Sequence, residues 1–133
     1  MNAGKTIIKD GLLYTDEHEW ARVEGDIAVI GITDYAQKEL RNVVFVELPR
    51  IGDKLTFRKD FGYVESTKAV NSLLSPVSGE VIEVNGKLED SPEIINTDPY
   101  GDGWMVKVRM TDKDELKQLL DAKGYAELME KLA

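Results

Sequence analysis

The chain has no cysteine and only one histidine among its 133 residues. The first absence excludes disulfides, thiolate metal sites and a cysteine nucleophile, and it agrees with a reducing compartment. The second leaves His18 alone to serve a zinc site or a serine triad. No histidine pair stands at metal spacing, so carboxylates would have to supply every other zinc ligand, and no G-x-S-x-G elbow is present. The plainer expectation for His18 is a strand histidine bonded to backbone. Positive charge is also in short supply: 17 Lys and Arg against 25 Asp and Glu leave a net charge of -8. Phosphates would be repelled, which argues against nucleic acid and anionic membranes, whereas basic patches on partner proteins would be attracted. No apolar run approaches bilayer-spanning length. Met1 to Thr6 has neither the apolar core of a signal peptide nor an arginine-rich transit character, so a cytoplasmic protein is expected. A phosphate-cradling glycine loop and a dinucleotide fingerprint are missing too. Asp98 to Gly103 lacks the alternating acids and closing glutamate of a calcium loop and reads as a tight turn feeding Trp104. Nearby carboxylates are too common in so acidic a chain to mark a glycosidase pair. Taken one by one, the residues point away from autonomous catalysis and from a metal site.

What is present is a succession of short strands. The length fits one domain over residues 1–133 with a single modest core. Glu17 to Val23 alternates from His18 onward like a half-buried strand, and Gly25-Asp26 turns it into Ile27 to Ile32, an almost continuously apolar and therefore central strand. Thr33 or Asp34 can cap a short helix in which Asp34 and Gln37 resemble a capping box, with Ala36 and Leu40 on one face. Val43 to Leu48 is a β-branched run ended by Pro49, and Leu55 to Phe57 is a short strand. Glu80 to Val84 and Trp104 to Met110 read as further strands. Between them lies an irregular segment, 87–102, with Leu88, Ile94 and Ile95 as anchors. The period changes near the end. Thr111 caps a helix carrying Leu116, Leu119 and Leu120, Gly124 interrupts, and Tyr125, Leu128, Met129 and Leu132 form a second helical stripe, giving a helical segment over about 111–132. Strands in sequence with few helices favour an antiparallel barrel or sandwich with helices packed outside.

Gly62-Tyr63-Val64-Glu65-Ser66-Thr67-Lys68-Ala69-Val70 has β-prone residues on both sides of one lysine. A lysine between two strand arms can sit at a hairpin tip with its amine in water, where it can be acylated and carry cargo. From composition alone, Lys68 reads as an ordinary solvated surface lysine.

Several blocks, in order and at family spacing, give a more specific reading. They are His18-Glu19-Trp20, Gly31-Ile32-Thr33-Asp34-Tyr35-Ala36-Gln37, Val44-Phe45-Val46-Glu47-Leu48-Pro49, Phe61-Gly62, Val64-Glu65-Ser66, Lys68-Ala69 and Ser75-Pro76-Val77-Ser78-Gly79-Glu80-Val81. Glu89 to Glu93, Asp98 to Gly101 and Gly103-Trp104 complete the set. Through them the chain resembles the glycine cleavage system H proteins, which are lipoyl carriers. The resemblance implies a mainly β, biotinyl/lipoyl-type flattened β-barrel, with a short early helix and C-terminal helices outside. It also implies lipoate amide-linked to Lys68, flanked by Glu65, Ser66, Thr67 and Ala69. Biotin carriers usually flank the lysine with methionines, and the lipoyl domains of 2-oxoacid dehydrogenases usually place aspartate before it; Glu-Ser-x-Lys-Ala here fits H proteins.

The partners so implied are a pyridoxal-phosphate glycine decarboxylase (P protein), a folate-dependent aminomethyltransferase (T protein), a dihydrolipoyl dehydrogenase (L protein) and a lipoylating enzyme. The aminomethyl group passes from P protein to T protein on the arm, and L protein reoxidises the arm. Members of the family are themselves non-catalytic, cytoplasmic in bacteria and in the mitochondrial matrix of eukaryotes. Their loaded arm is thought to fold into a surface cleft, for which Glu19 is the candidate partner of the aminomethyl ammonium and Ile32 an apolar wall. Two positions depart from the pattern. Residue 17 is glutamate where small polar residues are common, and residues 71 and 72 are Asn and Ser where a carboxylate is often found. An acid relocated to Glu17 would keep the cleft's charge, while Glu17 and Glu19 read equally well as a solvated strand edge. Rival readings of the chain are a lipoate relay that donates the group to other acceptors, and a non-lipoylated interaction domain.

Overall fold

The computed structural model describes residues 6–132. Among the described residues there are nine strands: β1 Leu13–Tyr14, β2 Glu19–Glu24, β3 Ile27–Ile32, β4 Val43–Glu47, β5 Lys54–Leu55, β6 Asp60–Ser66, β7 Val70–Leu74, β8 Gly79–Val84 and β9 Val106–Met110. They form one sheet in the order β1-β2-β3-β9-β8-β5 and a second in the order β4-β6-β7. Every pairing is antiparallel. Helix α1 spans Asp34–Leu40, two single turns follow at α2 Lys87–Asp90 and α3 Ile94–Thr97, and α4 runs over Ala122–Leu132 after a 3-10 turn at Lys113–Gln118. The architecture is an open, flattened, barrel-like sandwich with helices at its margins.

β3 explains why its sequence is apolar throughout. Ala28, Ile30 and Ile32 enter the core between the two sheets beside Val46, Val64, Leu73, Val81 and Val108. Val29 points the other way, into a second cluster with Leu12, Tyr14, Trp20, Tyr100, Tyr125 and Met129. A strand covered on both faces has no solvent side to supply polar residues. The second cluster is where α4 docks: Tyr125 stacks on Tyr14 with centroids 4.4 Å apart and planes 6° from parallel, a pairing of about 0.5–1.5 kcal/mol beyond its buried area. The Trp20 indole N–H donates to Pro99 O at 3.0 Å, so its burial leaves no unpaired donor.

Several expectations are corrected in detail. Thr33, not Asp34, caps α1, its hydroxyl accepting the Ala36 N–H, while Asp34 accepts from the Gln37 side chain inside the first turn. The strand expected at Leu55 to Phe57 is Lys54–Leu55, because Phe57 N–H turns instead to Ser78 Oγ. The 87–102 segment holds α2 and α3, whose Leu88 and Ile95 are buried as anchors while Ile94 packs more loosely. Near the C-terminus Asp112 caps the 3-10 turn rather than Thr111. Gly124 does not interrupt α4. It lies in the first turn, where its N–H bonds to Asp121 Oδ1 at 2.8 Å.

Gly79 sits where the backbones of β8 and β9 touch. A Cβ there would collide with Arg109 O and the Val108 side chain, whereas one at Gly86 meets nothing within 4 Å. Backbone cannot yield as a side chain does, so Gly79→Ala is expected to cost at least about 1–3 kcal/mol in urea unfolding, the range of core overpacking. Gly86→Ala should stay within about 1 kcal/mol of wild type. Equal effects at the two positions would contradict the assigned packing.

Candidate functional site

β6 and β7 form a hairpin in which Glu65 faces Val70 and Val64 faces Asn71. Ser66, buried at the end of β6, builds the reversal. Its hydroxyl accepts the N–H groups of Lys68 and Ala69, each at 3.1 Å, and donates to Ala69 O at 3.2 Å. Ser66 N–H donates to Ala69 O at 2.8 Å, and Thr67 N–H reaches Asn42 O at 3.0 Å, tying the tip to the chain between α1 and β4. One serine side chain thus satisfies the donors that a short loop leaves unpaired. The tip is closed by these hydrogen bonds, yet Thr67, Lys68 and Ala69 are all exposed. Lys68 Nζ donates to Glu39 O, in the last turn of α1, at 3.2 Å on the surface. A cation beside a helix C-terminus is favourable, but the contact is exposed and holds the amine only weakly.

Glu39 also lines a cleft of about 440 Å³ between β7 and the α1 end of the first sheet. Glu17, His18, Glu19, Ile32, Tyr35, Val64, Asn71, Ser72 and Leu73 contribute to its walls. Glu19 and Ile32, both 3% exposed, come together there, so Glu19 is no solvated strand edge. Glu17 is exposed at the same cleft. The two positions that lack a carboxylate, Asn71 and Ser72, face it as well. Glu65 lies on the exposed side of β6 and does not line the cleft.

Glu19 is held on both oxygens. Thr15 Oγ1–H donates to Oε1 at 2.6 Å and Leu74 N–H to Oε2 at 3.2 Å. Thr15 Oγ1 in turn accepts the N–H groups of Glu17 and Glu19. Burial pushes the Glu19 carboxyl up to about 7, outweighing these hydrogen bonds, which act downward.

His18 is not the backbone-bonded strand residue expected. It precedes β2 with φ 73°, and its Nδ1 lies 2.8 Å from the Tyr125 hydroxyl while its ring tilts against Tyr35 at 4.5 Å. Thr15, Thr33 and Tyr125 were not singled out for the site from sequence. Thr15 stands four residues before Glu19, a local signal that was available; Tyr125 is 107 residues from His18, and no local pattern announces that contact.

The pH response of Glu19 is testable. Its folded value lies above the ordinary 4.5, so between about 4.5 and 7 the folded state holds more protons than the unfolded chain. Its contribution to stability therefore falls as pH rises through that window. Urea unfolding near pH 5 and near pH 8 should show wild type losing at least about 1 kcal/mol more than Glu19→Gln. Parallel losses would contradict the burial of an ionisable carboxyl here.

The family model for the glycine cleavage H-protein matches residues 12–132. The chain is similar to the glycine cleavage system H protein of Carboxydothermus hydrogenoformans, 48% identical over 94% of this chain and 96% of the relative. It is also similar to that of Rubrobacter xylanophilus, 54% identical over 92% and 95%. A crystal structure of a glycine cleavage system H protein from Mycobacterium marinum superposes with a TM-score of 0.82 at 39% identity, covering 90% of this chain and 97% of that one. With a family match over nearly its whole length and relatives near half identity, this chain belongs to the glycine cleavage H-protein family.

Proposed function

We propose that this chain, as one carrier domain over residues 1–133, carries lipoate amide-linked to Lys68 and serves glycine cleavage without being an enzyme itself. The observation that carries the reading is the exposed Lys68 amine at a hydrogen-bonded hairpin tip, bonded to Glu39 O beside a cleft. The residues fit the group. Among the described residues the amine takes part in no ion pair and stands outside the core, and the adjoining cleft combines apolar walls at Ile32, Val64 and Leu73 with a buried acid at Glu19. When bound, lipoate supplies a disulfide that takes up an aminomethyl unit with electrons and releases both again.

The chain's own residues divide the remaining work. Ser66 fixes the direction in which Lys68 leaves the body, and Thr67 anchors the tip through Asn42. The exposed flanks Glu65, Thr67 and Ala69 leave the lysine open to a lipoylating enzyme. Glu19, ionised, offers an ammonium a counter-charge in a place largely shielded from water, where Coulomb attraction is least weakened. Glu17, at the same cleft, adds the negative charge that Asn71 and Ser72 do not supply. The partners that this role requires are the P, T and L proteins, each of which must reach the same exposed tip, and a cytoplasmic setting suits them. Among the described residues no helix is long and apolar enough to cross a membrane.

Reconstitution with P, T and L proteins tests the reading. Lipoylated chain should support glycine-dependent NADH formation, and Lys68→Arg should abolish it; turnover with the arginine variant overturns the assignment. Glu19→Gln should raise T-protein-independent ammonia release about tenfold, equivalent to about 1.4 kcal/mol of lost protection. Unchanged release would remove Glu19 from the role.

A further inference from the structure

Behind the cleft, and reaching its wall at His18, lies a hydroxyl relay whose proton order can be worked out. Thr33 Oγ1 accepts the Ala36 N–H at 3.2 Å and lies 2.9 Å from the Tyr125 hydroxyl, which lies 2.8 Å from His18 Nδ1. Thr33 and Tyr125 are both fully buried. Two proton orders satisfy the distances. In the first, Thr33 O–H donates to Tyr125 Oη and Tyr125 O–H donates to His18 Nδ1. In the second, His18 Nδ1–H donates to Tyr125, and Tyr125 donates to Thr33. The second leaves the Thr33 proton with no acceptor among the described residues, and a buried hydroxyl without an acceptor is destabilising. The first pairs both buried hydroxyls and His18 Nδ1.

We propose that this relay holds His18 as the neutral tautomer protonated on Nε2, making His18 a recognition residue that offers an N–H donor to a carbonyl group lying in the cleft. Nε2 has no partner among the described residues, and His18 lines the cleft together with Glu39, whose carbonyl binds the Lys68 amine. The acceptor that suits this donor is the amide carbonyl created when Lys68 is acylated; this half of the inference rests on the carrier reading above. Two further observations agree. Burial lowers the basicity of His18 although Asp16, Glu17 and Glu39 act to raise it. Protonation would also force the second proton order and orphan the Thr33 hydroxyl. The ring is placed by a positive φ that a non-glycine residue adopts only at some cost, and Thr33 N–H to His18 O at 3.0 Å fixes that backbone. The relay also ties α4 to the cleft, since Tyr125 belongs to that helix.

His18 is the only histidine, so nitrogen-15 spectra of its imidazole need no assignment. In the unmodified chain at neutral pH, Nδ1 should appear as an unprotonated, hydrogen-bonded acceptor and Nε2 as the protonated nitrogen. Tyr125→Phe should remove the hydrogen-bond shift at Nδ1. A protonated Nδ1, or a Nδ1 signal unmoved by Tyr125→Phe in a folded variant, overturns the relay. Octanoylated Lys68 should then move the Nε2–H proton downfield and slow its exchange. His18→Gln, which retains an N–H donor, should keep the acyl amide shielded from solvent exchange, whereas His18→Leu should not. An Nε2–H resonance untouched by acylation overturns the recognition role. If Lys68 is never lipoylated in its host, the carrier reading fails while the spectrum of the unmodified chain still decides the relay.

Discussion

The hydrogen bond from Leu74 N–H to Glu19 Oε2 spans the gap between the two sheets. Glu19 begins β2 in one sheet and Leu74 ends β7 in the other, and among the described residues the sheets share no ladder. The base of the lysine hairpin is therefore referenced to the floor of the cleft through one carboxyl group. Hydrogen bonds to a charged group contribute about 1.5–3 kcal/mol each. Here they are set against the larger penalty of burying the charge, which is why the carboxyl titrates near neutrality. Were the group exposed, it would be permanently ionised and of little use in holding a cation. Buried but not fully stabilised, it gains from any cation that enters.

The rest of the site divides rigidity from freedom in the same way. Ser66 uses its single hydroxyl three times to close the reversal around residues 66–69, and the backbone there has little room to move. Only the Lys68 side chain retains freedom, held at its end by one exposed bond to Glu39 O. The proposed carrier role needs that combination, because several partners would have to meet the same tip in the same place while the attached group travels. The fold supports it from behind. β3, covered on both faces, is the wall against which the cleft side of the first sheet and α4 both pack.

Much of this was legible in the sequence where local physics decides. The unbroken apolar run of β3 announced a strand without a solvent face. The β-prone arms around Lys68 announced the hairpin, and Leu88 and Ile95 stood out as anchors within a polar segment. Caps were less certain because neighbouring residues compete for them: Thr33 prevailed over Asp34, and Asp112 over Thr111. Gly124 misled because glycine usually weakens a helix interior, whereas here it occupies a first turn whose donor Asp121 satisfies. His18 and Tyr125 show the limit most clearly. Their contact joins the start of β2 to the last helix, and neither periodicity nor turn chemistry carries information over such a separation. The burial of Glu19 was hidden for a related reason, since an alternating acidic segment looks solvated until the strand opposite it is known.

The central claim is that Lys68 bears the working group, and peptide mass mapping of the chain isolated from its own host tests it most directly. A lipoyl mass increment confined to the peptide containing Lys68, present also in a Glu19→Gln chain but absent from Lys68→Arg, is the predicted result. An unmodified Lys68 under conditions in which the host cleaves glycine would contradict it.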